Sequence, residues 1–287
     1  MTDSDADPRV TLEKDAATHV ARITIDNPTR RNAYDPPMRR RMAEFLDDLA
    51  ADDDVKVVIL RGTGGVFSTG ADMNNAYNWY RPGEEGRRPS QRRRLGVDRE
   101  SFGFYHDYLG FPKVTIAQVE TYALGGGFEL ALMSDLTVVA RDAQLGMPGA
   151  RLLGPALGNL HLFFYRLGPV LARRLLLTGD TITAAEVEHL GLFTDVCDAG
   201  QVAERTEAWA TKVAKMPADV PALEQRRVAG EVDDGRHEDR EVGVGDRSHE
   251  RGIRHGSGLS RARRPRSRRR GGGRPRWCRA SPGPSRS

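Results

Sequence analysis

Up to about Lys215 the chain alternates short apolar runs with longer segments of helical period. Val10–Glu13 and His19–Ile25 alternate apolar and polar residues around Lys14–Ala17, a hairpin pattern, and Asp26-Asn27-Pro28 closes its second strand. Pro36 and Pro37 suit the first turn of a helix running to about Ala50, with Met38, Met42, Phe45, Leu46 and Leu49 as its apolar stripe. Val55–Leu60 and Lys113–Val119 read as buried strands, and Leu136–Ala140 as a further β-rich run. Glu100–Leu109 predicts a helix, preceded by Asn74–Arg99, which has no clear period. Leu162–Leu167 and Val170–Leu177 predict helices split by Gly168-Pro169. Thr183–Leu190 predicts a helix ended by Gly191, Leu192–Val196 a short strand, and Val202–Lys215 an amphipathic helix. Strands interleaved with helices give a mixed α/β class.

Two strand-to-helix turns stand out. After Val114–Val119 comes Leu124-Gly125-Gly126-Gly127-Phe128-Glu129-Leu130-Ala131. Its glycines let the backbone approach a ligand and leave peptide N–H groups free at a helix start. Such donors, with the helix dipole, suit an oxygen that gains negative charge, and Glu129 follows within the first turn as a candidate acid or base. Taken alone, this stretch also reads as a glycine turn with a capping carboxylate. After Val55–Leu60 comes Gly65-Val66-Phe67-Ser68-Thr69-Gly70-Ala71-Asp72-Met73. One N–H from Ala71 and one from Gly126 can make a two-donor oxyanion site.

The pair F-S-x-G-A-D and A-L-G-G-G-x-E-L-A, in this order, resembles the crotonase superfamily, the enoyl-CoA hydratase/isomerase enzymes, over about residues 10–216. The resemblance implies an α/β fold, a crotonase-like ββα spiral over 10–200. It also implies a C-terminal helical region that starts at 201–222 and is truncated or disordered here. It implies an acyl-CoA thioester as substrate, an enolate held by the amides of Ala71 and Gly126, and Glu129 as acid and base. Arg31, Asn32, Ala33, Ser68, Gly70, Asp72, Gly125 and Gly149 fall at substrate- or CoA-binding positions. Arg30 or Arg31 would meet a CoA phosphate, and Tyr77, Trp79 and Tyr80 fall in a flap over the acyl pocket. Asp72 reads as the cap of a following helix. No cofactor is expected beyond the coenzyme A of the substrate, and no metal. The family's homotrimer or hexamer is expected to be weakened by the altered C-terminus.

Two departures bear on the chemistry. The family's asparagine-glycine pair before the tyrosine is Glu120-Thr121, which predicts strain if that backbone needs φ > 0. The second glutamate of the hydratases, directly after a proline, is Gly149 after Pro148. Hydratase chemistry with one carboxylate, a single-carboxylate isomerase, a β-diketone C–C hydrolase and an impaired CoA-ester-binding relative all remain open. His161 is the nearest candidate replacement, although a histidine at a helix start is more often structural. A Rossmann dehydrogenase is excluded, because Gly125–Gly127 lacks the G-x-G-x-x-G spacing.

Composition adds the location and the tail. Two cysteines, Cys197 and Cys278, form no disulfide framework or metal-ligand spacing, which fits a reducing cytoplasm. Residues 1–9 read as a disordered lead, and no segment reads as a membrane span or secretory signal. The hydrophobic share, 38%, is low, and the reason lies after Ala222. Residues 223–287 are rich in Arg, Gly, Pro and Ser, with no Lys, Tyr or Phe, a composition that cannot offset the entropy of ordering. The net charge of +4 is modest, the folded part has no basic-aromatic motif, and nucleic acid is not expected as a partner. Such a tail is what a GC-rich gene yields when read out of frame. A frameshift near Leu223–Val228 therefore predicts an apolar, helical continuation in another frame of the coding DNA. Alternative frames without one would reject it.

Overall fold

The computed structural model describes residues 7–72, 91–151 and 160–217. All belong to the unit Met1–Glu238. The expectations for residues 1–6 of the lead 1–9, the aromatics Tyr77, Trp79 and Tyr80, and the tail lie outside the described residues, while Arg9 at the end of that lead is bonded to Asp7 and Asp35.

The main sheet has six strands in the order β1-β2-β3-β4-β6-β9. These are β1 (Val10–Asp15), β2 (Val20–Ile25), β3 (Val57–Gly62), β4 (Val114–Val119), β6 (Leu136–Ala140) and β9 (Asp195–Cys197). β1 and β2 form an antiparallel hairpin, and every later pairing is parallel. The central strands are apolar runs because both faces are covered: every residue of β4 is buried. A second sheet has the order β5-β7-β8, from β5 (Tyr122–Leu124), β7 (Gln144–Gly146) and β8 (Thr181–Thr183).

The helices are α1 (Pro36–Ala50), α2 (Gln91–Leu109), α3 (Gly126–Met133), α4 (Leu160–Thr178), α5 (Ala184–Val187) and α6 (Val202–Ala214). Asp35 caps α1 by accepting from the Met38 amide, and Thr183 with Glu186 forms a capping box on α5. α1 packs on α2, α2 on α3 and α3 on α4, while α6 covers β2, β3, β4 and β6. The Arg22 guanidinium on β2 makes two hydrogen bonds, 2.7 and 2.6 Å, to the Glu207 carboxylate on α6. α4 is two helical segments meeting at Gly168 (φ 71°, ψ 165°) and Pro169, the split that the sequence predicts.

Two expectations are corrected. The aperiodic stretch Asn74–Arg99 is helical from Gln91 onward. Its first turns carry exposed residues, with even Leu95 67% exposed, so no apolar stripe marks them. Thr121 is not strained: the non-glycine residues with positive φ are His19, Arg31 and Asn32 among the described residues. Its hydroxyl instead donates to the Gly65 carbonyl at 2.7 Å.

Asn32 is the polar pin of the fold. It is fully buried at φ 55°. Its amide nitrogen donates to the carbonyls of Thr63 and Val66, and its carbonyl accepts from the Asn27 amide. Asn32→Ala leaves those backbone groups unpaired and keeps the left-handed φ. It should lower unfolding free energy by about 3 kcal/mol, read by urea denaturation; a loss under about 1 kcal/mol would contradict this role.

Candidate active site

The site is built where three runs of chain lie side by side. Ser68 forms a parallel bridge with Ala123 of β5: its amide donates to Tyr122 and its carbonyl accepts from Leu124. On the other side Ala71 is bridged to Tyr34, through Tyr34 N–H to Gly70 C=O (2.8 Å) and Asp72 N–H to Tyr34 C=O (3.0 Å). Ala71 and Gly126 each follow three residues after the Ser68–Ala123 bridge, so they sit in register. A side chain at Gly70 would come 2.6 Å from the Gly126 nitrogen and 2.7 Å from the Leu124 oxygen. That contact, with φ 83°, admits only glycine there.

The amides of both positions are unspent. The Gly70 carbonyl points at Tyr34, so the Ala71 N–H across the same trans peptide points away from it. Gly126 is the first residue of α3, where intrahelical acceptors do not exist. Among the described residues, neither amide donates a hydrogen bond.

Glu129 follows one turn into α3. It is 3% exposed, and its Oε1 has no hydrogen-bond partner. Burial pushes its pKa up to about 8, and the Tyr105 hydroxyl opposes part of that rise. No second carboxylate among the described residues bears on its ionisation. The hydroxyls of Tyr34 and Tyr105 are 2.5 Å apart and buried. Burial raises the pKa of both phenols, so they remain protonated donors. A Cβ on Gly126 would collide with both hydroxyls, so the pair lies directly against the helix start. Arg39 of α1 is 4% exposed, and its charge acts on both tyrosines.

The other expected site residues divide by what their side chains do. Asn32 and Ser68 are fully buried and spent on the backbone: the Ser68 hydroxyl donates to the Asn32 carbonyl and accepts from the Gly70 amide. They shape the loops. Ala33 is buried, and its carbonyl accepts from the Asn27 side chain. Arg31 is exposed at φ 50° with its guanidinium 5.6 Å from the Tyr122 ring centre. Asp72 is 8% exposed, and the helix it was expected to cap lies outside the described residues. Gly125 precedes α3 at φ 55° and donates to the Gly146 carbonyl. Gly149 is half-buried in the turn Pro148–Arg151. His161 is exposed in the first turn of α4. No cluster of three His, Cys, Asp or Glu able to hold a metal occurs among the described residues.

Sequence reasoning missed Tyr34, Tyr105 and Arg39. Tyr34 stands directly after Arg31-Asn32-Ala33, but nothing local shows that its hydroxyl meets one 71 positions away.

The enoyl-CoA hydratase/isomerase family model matches residues 15–242. The chain belongs to the enoyl-CoA hydratase/isomerase family. The match runs on past Ala222, so the change in composition there is not where the family resemblance ends. The chain is 35% identical over 198 residues to a Thermus thermophilus protein provisionally named enoyl-CoA hydratase, covering 69% of this chain and 75% of that one. It is 30% identical over 195 residues to 2,3-dehydroadipyl-CoA hydratase of Escherichia coli, covering 67% and 71%. Among solved structures, DspI of Pseudomonas aeruginosa is similar with a TM-score of 0.68 at 28% identity, covering 79% of this chain and 88% of that one. The crotonase-like α/β fold follows from these matches. No helix among the described residues is long and apolar enough to cross a membrane.

The raised pKa of Glu129 sets a stability profile. The folded state holds the proton up to about pH 8, while the unfolded carboxyl loses it near its ordinary value of 4.5. Folding therefore binds a proton between these values, and stability falls as pH rises, by about 1.4 kcal/mol per unit from this group. Above pH 8 the penalty is constant. Glu129→Gln should flatten unfolding free energy between pH 5 and 8 relative to the parent; parallel profiles would contradict the assignment.

Proposed function

We propose that the protein acts on acyl-CoA thioesters by stabilising an enolate, with enoyl-CoA hydration as its reaction. The thioester oxygen accepts from the amides of Ala71 and Gly126. Each such donor contributes about 3 kcal/mol once charge develops on the oxygen. Glu129 orients a water, takes its proton as the oxygen attacks Cβ, and returns a proton to Cα. One carboxyl thus serves both halves of the addition, and the catalyst ends as it began. The observation that carries this reading is a buried carboxyl with an unpartnered oxygen, one turn from an unspent helix-start amide.

A pKa near 8 suits both halves, since the group then takes and returns a proton near neutral pH. The Tyr105 hydroxyl helps hold the ionised form, with Tyr34 donating behind it. Seating a ligand against Gly126 excludes water and keeps the field of these groups undiluted.

Gly149 favours a second reading. With no carboxylate at that turn, Glu129 can move one proton between two carbons of a 3-enoyl ester, which is isomerisation. Cleavage of a β-diketo ester makes the same demand on the oxyanion site. A panel of 2-enoyl, 3-enoyl and β-diketo CoA esters with mass detection of products separates the three.

Glu129→Gln should lower kcat by about 10³-fold while CoA-ester binding persists. In the parent, kcat/KM should rise with pH and level off near pH 8 as Glu129 ionises. Unchanged kcat in the variant, or a profile flat from pH 6 to 9, would remove Glu129 from the reaction.

A further inference from the structure

The end of α3 away from the oxyanion turn borders a second cavity, of about 130 Å³. α3 has eight residues, so this end lies about 12 Å along the axis from Gly126. Ser134, Asp135, Arg166, Leu192, Phe193 and Thr194 are in its wall. Arg166 of α4 is exposed, so a ligand can reach its guanidinium from solvent. Its Nη2 donates to the carbonyl of Ser134, the residue that ends α3, at 3.1 Å. That contact spends one of the five N–H donors of a guanidinium. Arg166 makes no other hydrogen bond and no ion pair among the described residues. Capping α3 therefore leaves most of the fork unused.

The loop Gly191–Thr194, which leads into β9, adds further donors. Among the described residues the amides of Leu192 and Phe193 donate no hydrogen bond. The Thr194 hydroxyl accepts from the Thr137 amide at 3.1 Å and donates to nothing among the described residues. A guanidinium, two peptides and a hydroxyl in one wall all lack an acceptor. Asp135 is the one acid of this wall, and its Oδ2 accepts from the Thr115 amide and hydroxyl at 2.8 and 2.7 Å. Arg166 balances its charge, so a single added negative charge is tolerated and a double one is disfavoured.

We propose that this cavity binds a small monocarboxylate anchored by Arg166, at a site separate from the acyl-CoA site. A carboxylate matches the planar fork through two parallel hydrogen bonds, and its remaining lone pairs suit the amides and the hydroxyl. Inorganic phosphate offers similar oxygens but carries close to two charges at neutral pH, which Asp135 opposes. The assignment does not depend on the acyl-CoA reading, because none of its residues belongs to the oxyanion site.

The test is an equilibrium titration of the full chain with carbon-13-labelled propionate at constant ionic strength, followed by NMR line broadening. Inorganic phosphate and neutral propionamide are the comparison arms. The parent should bind propionate saturably, with a Kd of about 1 mM or lower. Phosphate should bind more weakly, and propionamide should not bind. Arg166→Met should weaken propionate about tenfold or more, as expected for a lost charge-assisted pair. Arg166→Lys keeps the charge without the fork and should fall between the two. Arg174→Met, exposed on the same helix outside the cavity, should match the parent. Binding that does not saturate, unchanged affinity in Arg166→Met, or phosphate binding tighter than propionate overturns the proposal. Should Arg166→Met fail to fold, Arg166→Lys decides, and affinity equal to the parent's overturns it. Saturating free coenzyme A should leave propionate binding unchanged; competition would place the carboxylate in the acyl-CoA site. Loss of propionate binding as the protein is concentrated would show the cavity filled by a second copy, which also overturns the assignment.

Discussion

A few main-chain hydrogen bonds hold the runs 31–34, 68–72 and 122–126 in register, and the rest of the site depends on that register. Ser68 is fastened to β5 on one side while Tyr34 is fastened across Ala71 on the other. Asn32 and the Ser68 hydroxyl absorb the polar groups that this crossing would leave unpaired. With those groups satisfied by the protein, the Ala71 and Gly126 amides stay available to something else. A slip of one residue would turn a donor away and drive a side chain into the Gly70 contact.

The second constraint is electrostatic. A carboxyl and a guanidinium, both nearly excluded from solvent, each keep a polar atom without a partner among the described residues. Neither arrangement helps folding, since buried polar groups are normally paired. The carboxyl, one turn from the helix start that meets the tyrosine pair, reads as stability given up for chemistry. The Tyr105 hydroxyl supports the ionised form of the carboxyl, and burial keeps the phenol itself protonated.

Much of the fold was legible because its central strands are mostly apolar runs and its turns carry glycine, proline or a capping side chain. Val114–Val119 is an example, read as a strand and buried throughout. The start of α2 was not legible, because Gln91, Arg92 and Leu95 face outward and show no period. The glycine turns pointed to Ala71, Gly126 and Glu129, since helix starts and left-handed turns leave a local signature. Tyr34, Tyr105 and Arg39 left none: their meaning lies in contacts between α1, α2 and the glycine turn, and in sequence Arg39 is one arginine in a run of three. Asn32 and Ser68 were read as substrate-binding positions, and their side chains are spent on the loop backbone.

Exchange of α-protons tests the central claim most directly. A saturated acyl-CoA ester in D2O has no double bond to hydrate or shift, so only enolate stabilisation and a base can label it. The account predicts that the parent incorporates deuterium at Cα, detected by mass, and that Glu129→Gln does not. No incorporation by the parent, or equal incorporation by both, would contradict it.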